Sequence, residues 1–406
     1  MLRFLTGGES HGKALIGILE GFPAGVPIQV DEIDEDLKRR QMGYRRSHRM
    51  KIEKDRIEIL SGVREGLSMG SPISILIENK DWEIPPSPFT KGGKKGGFDP
   101  ITVPRPGHAD LVGYYKYGLK DIRWVSERSS ARETAMRVAL GGFAKLLLKQ
   151  FDIEILGHVI QIGAVGAGLK PAPTQGGNRG ISSVGAIREF PLQELKKQVM
   201  KSPVFCLNPD ASKKMCSLID EARKKGTTLG GRFEVIARGV PLGLGSYVHW
   251  DRKLDGRIAQ AFVSIQSVKA VEIGEGIRVS QGWGSEAHDE IFVDNAGAGL
   301  APALRRETNR AGGLEGGVTN GEDIVVRAFC KPISTQKNRL RSIDLVTKEP
   351  KESSYQRSDI CIVPAASVVG ESALAFELAR AFLEKFGGDH LEEIRRNYAG
   401  YIESSR

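Results

Sequence analysis

Apolar residues recur most regularly behind Arg128, in the run RSSARETAMRVAL. Ala135, Met136, Ala139, Leu140 and Phe143 fall at helical intervals, and Ser130 precedes Glu133 at the spacing of a capping box. The pattern predicts a buried helix from here to about Gln150. Its first turn presents free N–H groups and a positive dipole end beside Arg128, Ser129, Ser130 and Arg132, which suits a phosphate or carboxylate. An ordinary capped helix with surface arginines is the commoner reading of such a stretch taken alone.

The same spacing predicts a helix over 210–225, with Met215, Leu218, Ile219 and Ala222 on one face and Gly226 as its stop. It predicts another over ESALAFELARAFLEKF, closed by Gly387 and Gly388, and a short one from Asp31 that buries Ile33 and Leu37. Strand-like runs are RIEILSGV and SPISILIE within 55–78, then RFEVIARGV, DEIFV and EDIVVRAF. Residues 1–30 read as two short strands around the turn-rich GILEGFPAGVPI. These elements do not alternate as βα units, so the pattern predicts an α+β fold.

No linker divides the chain, and we expect one domain over 1–406. The stretches 91–100, 169–185 and 336–356 are expected as mobile loops. GFPAGVPI, GVPLGLG and GGVTNGEDIVVRAFCKPI form a weak echo, explained by an internal duplication or by turns alone.

Composition narrows the class. The chain is 40% hydrophobic and 27% charged, and no apolar run reaches the roughly 18 residues of a membrane span. The start, MLRFLTGGESHGKA, has no signal-peptide core, and the four cysteines form no CxxC pair, so we expect a reducing cytoplasm and no metal site. The net charge of +9 fits nucleic acid or an arginine-lined pocket for a small anion. The second is favoured, because arginines fall inside Gly-, Ser- and His-containing motifs and there is no basic tail.

Several motifs carry chemistry. GGESHGK nearly spells a phosphate-binding loop, but Ala14 stands where a Mg²⁺-holding hydroxyl is needed, which leaves His11 in a glycine-flanked turn. Arg39, Arg40, Arg45, Arg46 and Arg49 crowd one segment, and an anion would relieve their repulsion; a solvated basic face is the plainer reading. His108 in RPGHAD lies beside Asp110, either satisfied by it or tuned by it as a proton donor. Lys331 with Ser334 and Thr335 offers a phosphate clasp. Arg357 and Asp359 share one face if RSD is a strand, or form only a surface ion pair.

Together GESHG, RRQMGYRRSHRM, RPGHAD, ERSSARET, GSYVHWDRKLD, GGLEGGVTNG, KPIST and RSDICIVPAA resemble the chorismate synthases, in that family's order and across the chain. The resemblance implies an anti-1,4-elimination of phosphate from 5-enolpyruvylshikimate 3-phosphate, giving chorismate with reduced FMN and no net redox change. It implies one domain in which two antiparallel sheets sandwich helices, a β-α-β sandwich, assembled as a homotetramer. By the resemblance His11 protonates the leaving phosphate, His108 interacts with reduced flavin, and Asp359 assists the proton relay. Flavin contacts would come from Arg128, Ser129, Ser130, Gln266, Ser267, Gly316, Arg357 and the segment Lys331, Pro332, Ile333, Ser334 and Thr335. Arg40, Arg46, Arg49, Arg105 and Arg132 would hold substrate, with Arg40 and Arg46 also associated with NADP(H). An outside flavin reductase is implied as partner, with neither nucleic acid nor membrane. Arg45, Ser47 and His48 replace smaller residues of the usual basic loop, Trp124 stands where asparagine is usual, and Gln266-Ser267 replaces a small or amide pair.

Overall fold

Period-two alternation builds two antiparallel sheets whose apolar faces look at each other across a helical layer. The computed structural model describes residues 1–47, 49–83, 100–167, 190–294, 303–354 and 358–404. The first sheet contains β1 (Arg3–Gly7), β2 (Ala14–Glu20), β3 (Glu58–Ser61) and β4 (Ile73–Glu78), in the order β1-β2-β4-β3. On β2, Leu15 and Leu19 are buried while Ile16 and Ile18 face outward. The second contains β5 (Glu154–Ile162), β6 (Gly231–Arg238), β7 (Val268–Ile273) and β8 (Ile324–Cys330), in the order β5-β6-β8-β7, with a two-residue edge strand at Val165–Gly166.

Between the sheets lie α1 (Val30–Gln41), α3 (Thr134–Lys149), α4 (Leu254–Val263) and α5 (Val363–Phe386); α2 (Ile122–Ser129) lies just before α3. Small residues set the layer spacing. A Cβ on Gly17 of β2 would sit 2.5 Å from Met136 of α3, and one on Gly157 of β5 would sit 2.6 Å from the Ser367 carbonyl of α5. The helices are joined by buried charge. Arg39 of α1 donates to Asp36 at 2.8 Å and to Glu371 of α5 at 2.6 Å, and Lys145 of α3 donates to the same two carboxylates. One contiguous apolar core extends from Leu2 to Ile394.

The echo in the sequence is a repeated structure. Ser68 Oγ donates to the Pro23 carbonyl at 2.6 Å and accepts from Val26 N–H at 2.9 Å. Thr319 Oγ1 donates to the Pro241 carbonyl at 2.6 Å and accepts from Leu244 N–H at 2.8 Å. The backbone repeats too: Gly25 donates to Ser68, and Gly243 donates to Thr319. Apart from helices Leu192–Lys201 and Pro209–Lys224, which the second half inserts between β5 and β6, both halves share the core order strand, strand, helix, strand, strand, helix and the same strand order in the sheet.

The structure corrects some local expectations. Ser130 caps a 3₁₀ turn, Ala131–Glu133, by accepting from Arg132 N–H, and the α-helix begins only at Thr134. There is no reciprocal capping box, because the Glu133 carboxylate accepts from Arg137 and Gln266 instead. Helix α5 starts well before the amphipathic run, with a proline in its first turn. Its early residues are small and buried on all sides, so they carry no helical period. The helices α2 and Leu391–Ser404 had no counterpart in the sequence reading. The 336–356 stretch carries a hairpin, Arg341–Ile343 with Pro350–Glu352, tied down where Ser342 Oγ donates to Pro104 and Leu345 N–H donates to Thr102. The 91–99 and 169–185 stretches lie outside the described residues, as do His48 and Arg357.

Candidate active site

Equivalent pieces of the two halves meet around one cavity of about 920 Å³. The start of α3 and the start of α5 open onto it, as do the end of α1 at Arg40 and the residues after α4, Ile265 to Ser267. Ile362, Ala365, Ala366 and Val369 present one flank of α5 to the cavity, and Thr134 presents the first residue of α3. Lys331 to Thr335, leaving β8, with Arg46, Ser47 and Arg49 and with Arg105, Gly107, His108 and Ala109, complete the wall.

His11 sits in the β1–β2 turn. Its Nδ1 lies 2.6 Å from one oxygen of Glu127, and the other oxygen accepts the His11 backbone N–H at 2.6 Å. His11 Nε2 faces Arg49 Nη1 at 3.5 Å. His108 is held alike, with Nδ1 2.5 Å from Asp110. Burial works against the Asp110 charge, but hydrogen bonds from Arg105 and His108 hold its carboxyl well below the usual range. The pairing anticipated within RPGHAD is therefore present. Glu127 was missed as a partner: it lies 116 residues from His11, and only folding brings them together.

The crowded arginines carry their own counter-ions. Arg39 pairs with Glu371 at 2.6 Å, Arg40 with Asp55 at 3.6 Å, Arg45 with Asp220 at 3.0 Å, Arg46 with Asp359 at 2.8 Å and Arg49 with Glu53 at 3.2 Å. The protein thus relieves much of the repulsion that sequence reasoning assigned to a ligand. Arg105 donates to Asp110, Ser126 and Thr335, and Arg132 donates to both oxygens of Asp55 at 2.7 Å and to Asn79. Even so, Arg40 Nη1 and Arg46 Nε are buried without a hydrogen-bond partner. Burial pushes the Arg40 guanidinium down to about 10, despite Asp55.

On the opposite wall, Gln266 Nε2 donates to Glu133 at 2.7 Å, leaving Gln266 Oε1 buried and unpartnered. Ser267 holds φ at 75°, costly for a side-chain-bearing residue, and its buried Oγ meets the Cys330 thiol. Burial, with Lys269 nearby, pushes the Lys331 ammonium down. Asp359 accepts the Ser47 N–H at 2.6 Å as well as Arg46. Burial raises the Cys330 thiol to about 11 and Cys361 to about 12, so neither is a thiolate nucleophile near neutrality.

His11, His108, Asp359, Ser129, Ser130, Gln266, Ser267, the whole Lys331–Thr335 segment and all five proposed substrate arginines line this cavity. Arg128 does not: its guanidinium donates to Thr6 and Gly8 and lines a smaller neighbouring pocket. Gly316 lies in the turn between Leu314–Glu315 and Val318–Thr319, next to Tyr247. Asp359 is not on a strand, so its facing rests on Ser47 and Arg46 rather than on alternation. Among the described residues no cluster could hold a metal ion, and no helix is long and apolar enough to cross a membrane.

Known proteins resemble this chain in sequence and fold. The family model described as chorismate synthase matches residues 2–383. Chorismate synthase of Desulforudis audaxviator is 51% identical over 407 residues, covering 100% of this chain and 98% of that protein. The Solibacter usitatus enzyme of that name is 47% identical, covering 99% of each. A crystal structure of chorismate synthase superposes with a TM-score of 0.77 at 40% identity, over 99% of this chain and 98% of that one. Fold and sequence thus converge, and the chain belongs to the chorismate synthase family, enzymes of the shikimate pathway.

Proposed function

We propose that this chain eliminates phosphate from 5-enolpyruvylshikimate 3-phosphate to form chorismate, as a lyase that holds reduced FMN without net redox change. The observation that carries this reading is one cavity lined by the five proposed substrate arginines and two carboxylate-held histidines. A substrate with one phosphate and two carboxylates suits that cationic wall.

The residues present fit a flavin. Gln266 Oε1 is a buried polar atom without a partner, and Lys331 to Thr335 adds a cation and two hydroxyls. These residues, with Ser129 and Ser130, would hold FMN; Arg128, Gly316 and Arg357 are proposed contacts by family resemblance. When bound, reduced flavin supplies electron density that assists C–O cleavage. The volume lies near the upper end of small-molecule pockets, ~300–1,000 Å³, and leaves room for a second ligand.

The protein's own part is electrostatic and acid–base. Arg40, Arg46, Arg49, Arg105 and Arg132 hold substrate anions and stabilise charge as phosphate departs. His11 gives the phosphate its proton from Nε2, while His108 would interact with reduced flavin and Asp359 would assist a proton relay. Arg40 and Arg46 are the proposed contacts for NADP(H), with an outside reductase supplying reduced flavin. Leu5, Ile16 and Ile18 expose apolar surface on the outer face of the first sheet, which supports assembly into a homotetramer. We place the enzyme in the cytoplasm, in keeping with its four free cysteines.

The test is anaerobic phosphate release from that substrate with FMN oxidised, chemically reduced, or supplied with NADPH alone. Release with rising chorismate absorbance only under reduced FMN is expected. No release from folded protein under any condition overturns the assignment.

A further inference from the structure

We propose that Glu127 is the positioning residue that sets the tautomer and aim of His11. This rests on the reading of His11 as the proton donor to phosphate. Glu127 lies on α2, and its side chain is 6% exposed. Its two carboxylate oxygens are both committed to His11: one accepts the backbone N–H at 2.6 Å, the other meets Nδ1 at 2.6 Å. Its own carbonyl accepts the Ser10 N–H at 3.1 Å. One helical residue therefore clamps the turn that carries the histidine.

The backbone N–H can only donate. The remaining carboxylate oxygen can only accept, so Nδ1 carries hydrogen. Nε2, the nitrogen turned toward Arg49 and the cavity, is then the ring atom that gains and loses the proton. A proton delivered to phosphate leaves from Nε2, and the neutral ring returns to the Nδ1–H form held by Glu127.

Glu127→Gln inverts this arrangement without changing size. Glutamine has one acceptor oxygen, and the His11 backbone N–H claims it. The amide NH₂ then points at Nδ1, which must accept, so hydrogen moves to Nε2 of the neutral ring. Glu127→Asp keeps two acceptor oxygens on a shorter arm.

The experiment uses the full chain labelled with ¹⁵N-histidine, with the His11 signals assigned by loss in His11→Gln. Long-range ¹H–¹⁵N spectra report the tautomer without substrate turnover. We expect Nδ1–H in wild type and in Glu127→Asp, and Nε2–H in Glu127→Gln. Glu127→Gln should lower kcat for phosphate release by about 10²–10⁴-fold, with KM and FMN affinity within about threefold of wild type. An Nδ1–H ring in Glu127→Gln, or turnover within about threefold of wild type, overturns the proposal. So does a Glu127→Asp variant that loses the Nδ1–H form. Absence of phosphate release in wild type sinks the functional reading alone, because the tautomer result still decides the role of Glu127.

Discussion

Arg46 Nη1 lies 2.8 Å from Asp359 Oδ2, and this contact joins the basic loop to the approach to α5. The other Asp359 oxygen accepts the Ser47 N–H at 2.6 Å, so one carboxylate fixes two successive loop residues. The pair brings the basic-loop motif together with the last motif of the site across most of the sequence.

Replacing Asp359 with asparagine keeps the shape but removes the charge opposite Arg46. The expected result is a kcat lowered by about 10²–10⁴-fold, the usual range for a lost acid–base group, with FMN affinity nearly unchanged. Substrate KM should rise as well, because the loop loses an anchor. Steady-state phosphate release and flavin titration separate these effects, and near-normal turnover removes Asp359 from the mechanism.

Glu371 takes charge from Arg39 and Lys145 and also accepts the Gly157 N–H at 2.7 Å. Burial alone raises its carboxyl, but Arg39 and Lys145 outweigh this and hold it below the ordinary range. Glu371→Ala leaves two buried cations without this partner, and a loss of about 3–5 kcal/mol is expected by denaturant unfolding. A loss below about 1 kcal/mol would mean that Asp36 alone satisfies both.

Glu234 on β6 pairs with Arg327 at 2.6 Å and His158 at 3.1 Å. Burial raises its carboxyl, yet these partners bring it from the ordinary 4.5 to about 2. A depressed folded value means stability present above pH ~4.5 and lost as pH falls toward ~2. Wild type should therefore exceed Glu234→Gln by up to about 3 kcal/mol at pH 7, with the gap closing between those limits. Thermal melts across that range check the sign; a gap that widens on acidification contradicts it.

Ser68 and Thr319 make the same pair of hydrogen bonds in the two halves. Ser68→Ala and Thr319→Val each strand a buried N–H and a carbonyl, so each should lose about 1–3 kcal/mol. Their distinct locations predict nearly additive losses in the double variant. A negligible loss in one half would show that the motif is structural in the other half alone.

The sequence by itself determined much here. Strand alternation, the periods of α1 and α3 and the ordered motifs are local patterns, because a side chain's face follows from spacing of two or about 3.6 residues. His11, His108, the arginines and the Lys331 segment were legible as candidates because glycines, prolines and charge cluster around them. Tertiary structure decided their partners. Glu127 against His11, Asp359 against Arg46 and Glu371 against Arg39 join residues 116 to 332 positions apart, or cross between motifs with no shared period. Long-range closure also settled which arginines keep a buried N–H without a hydrogen-bond partner, since each guanidinium's free donors depend on the carboxylates folding brings within reach. The turn echo became a duplication only when Ser68 and Thr319 were found at equivalent places, each satisfying one buried turn.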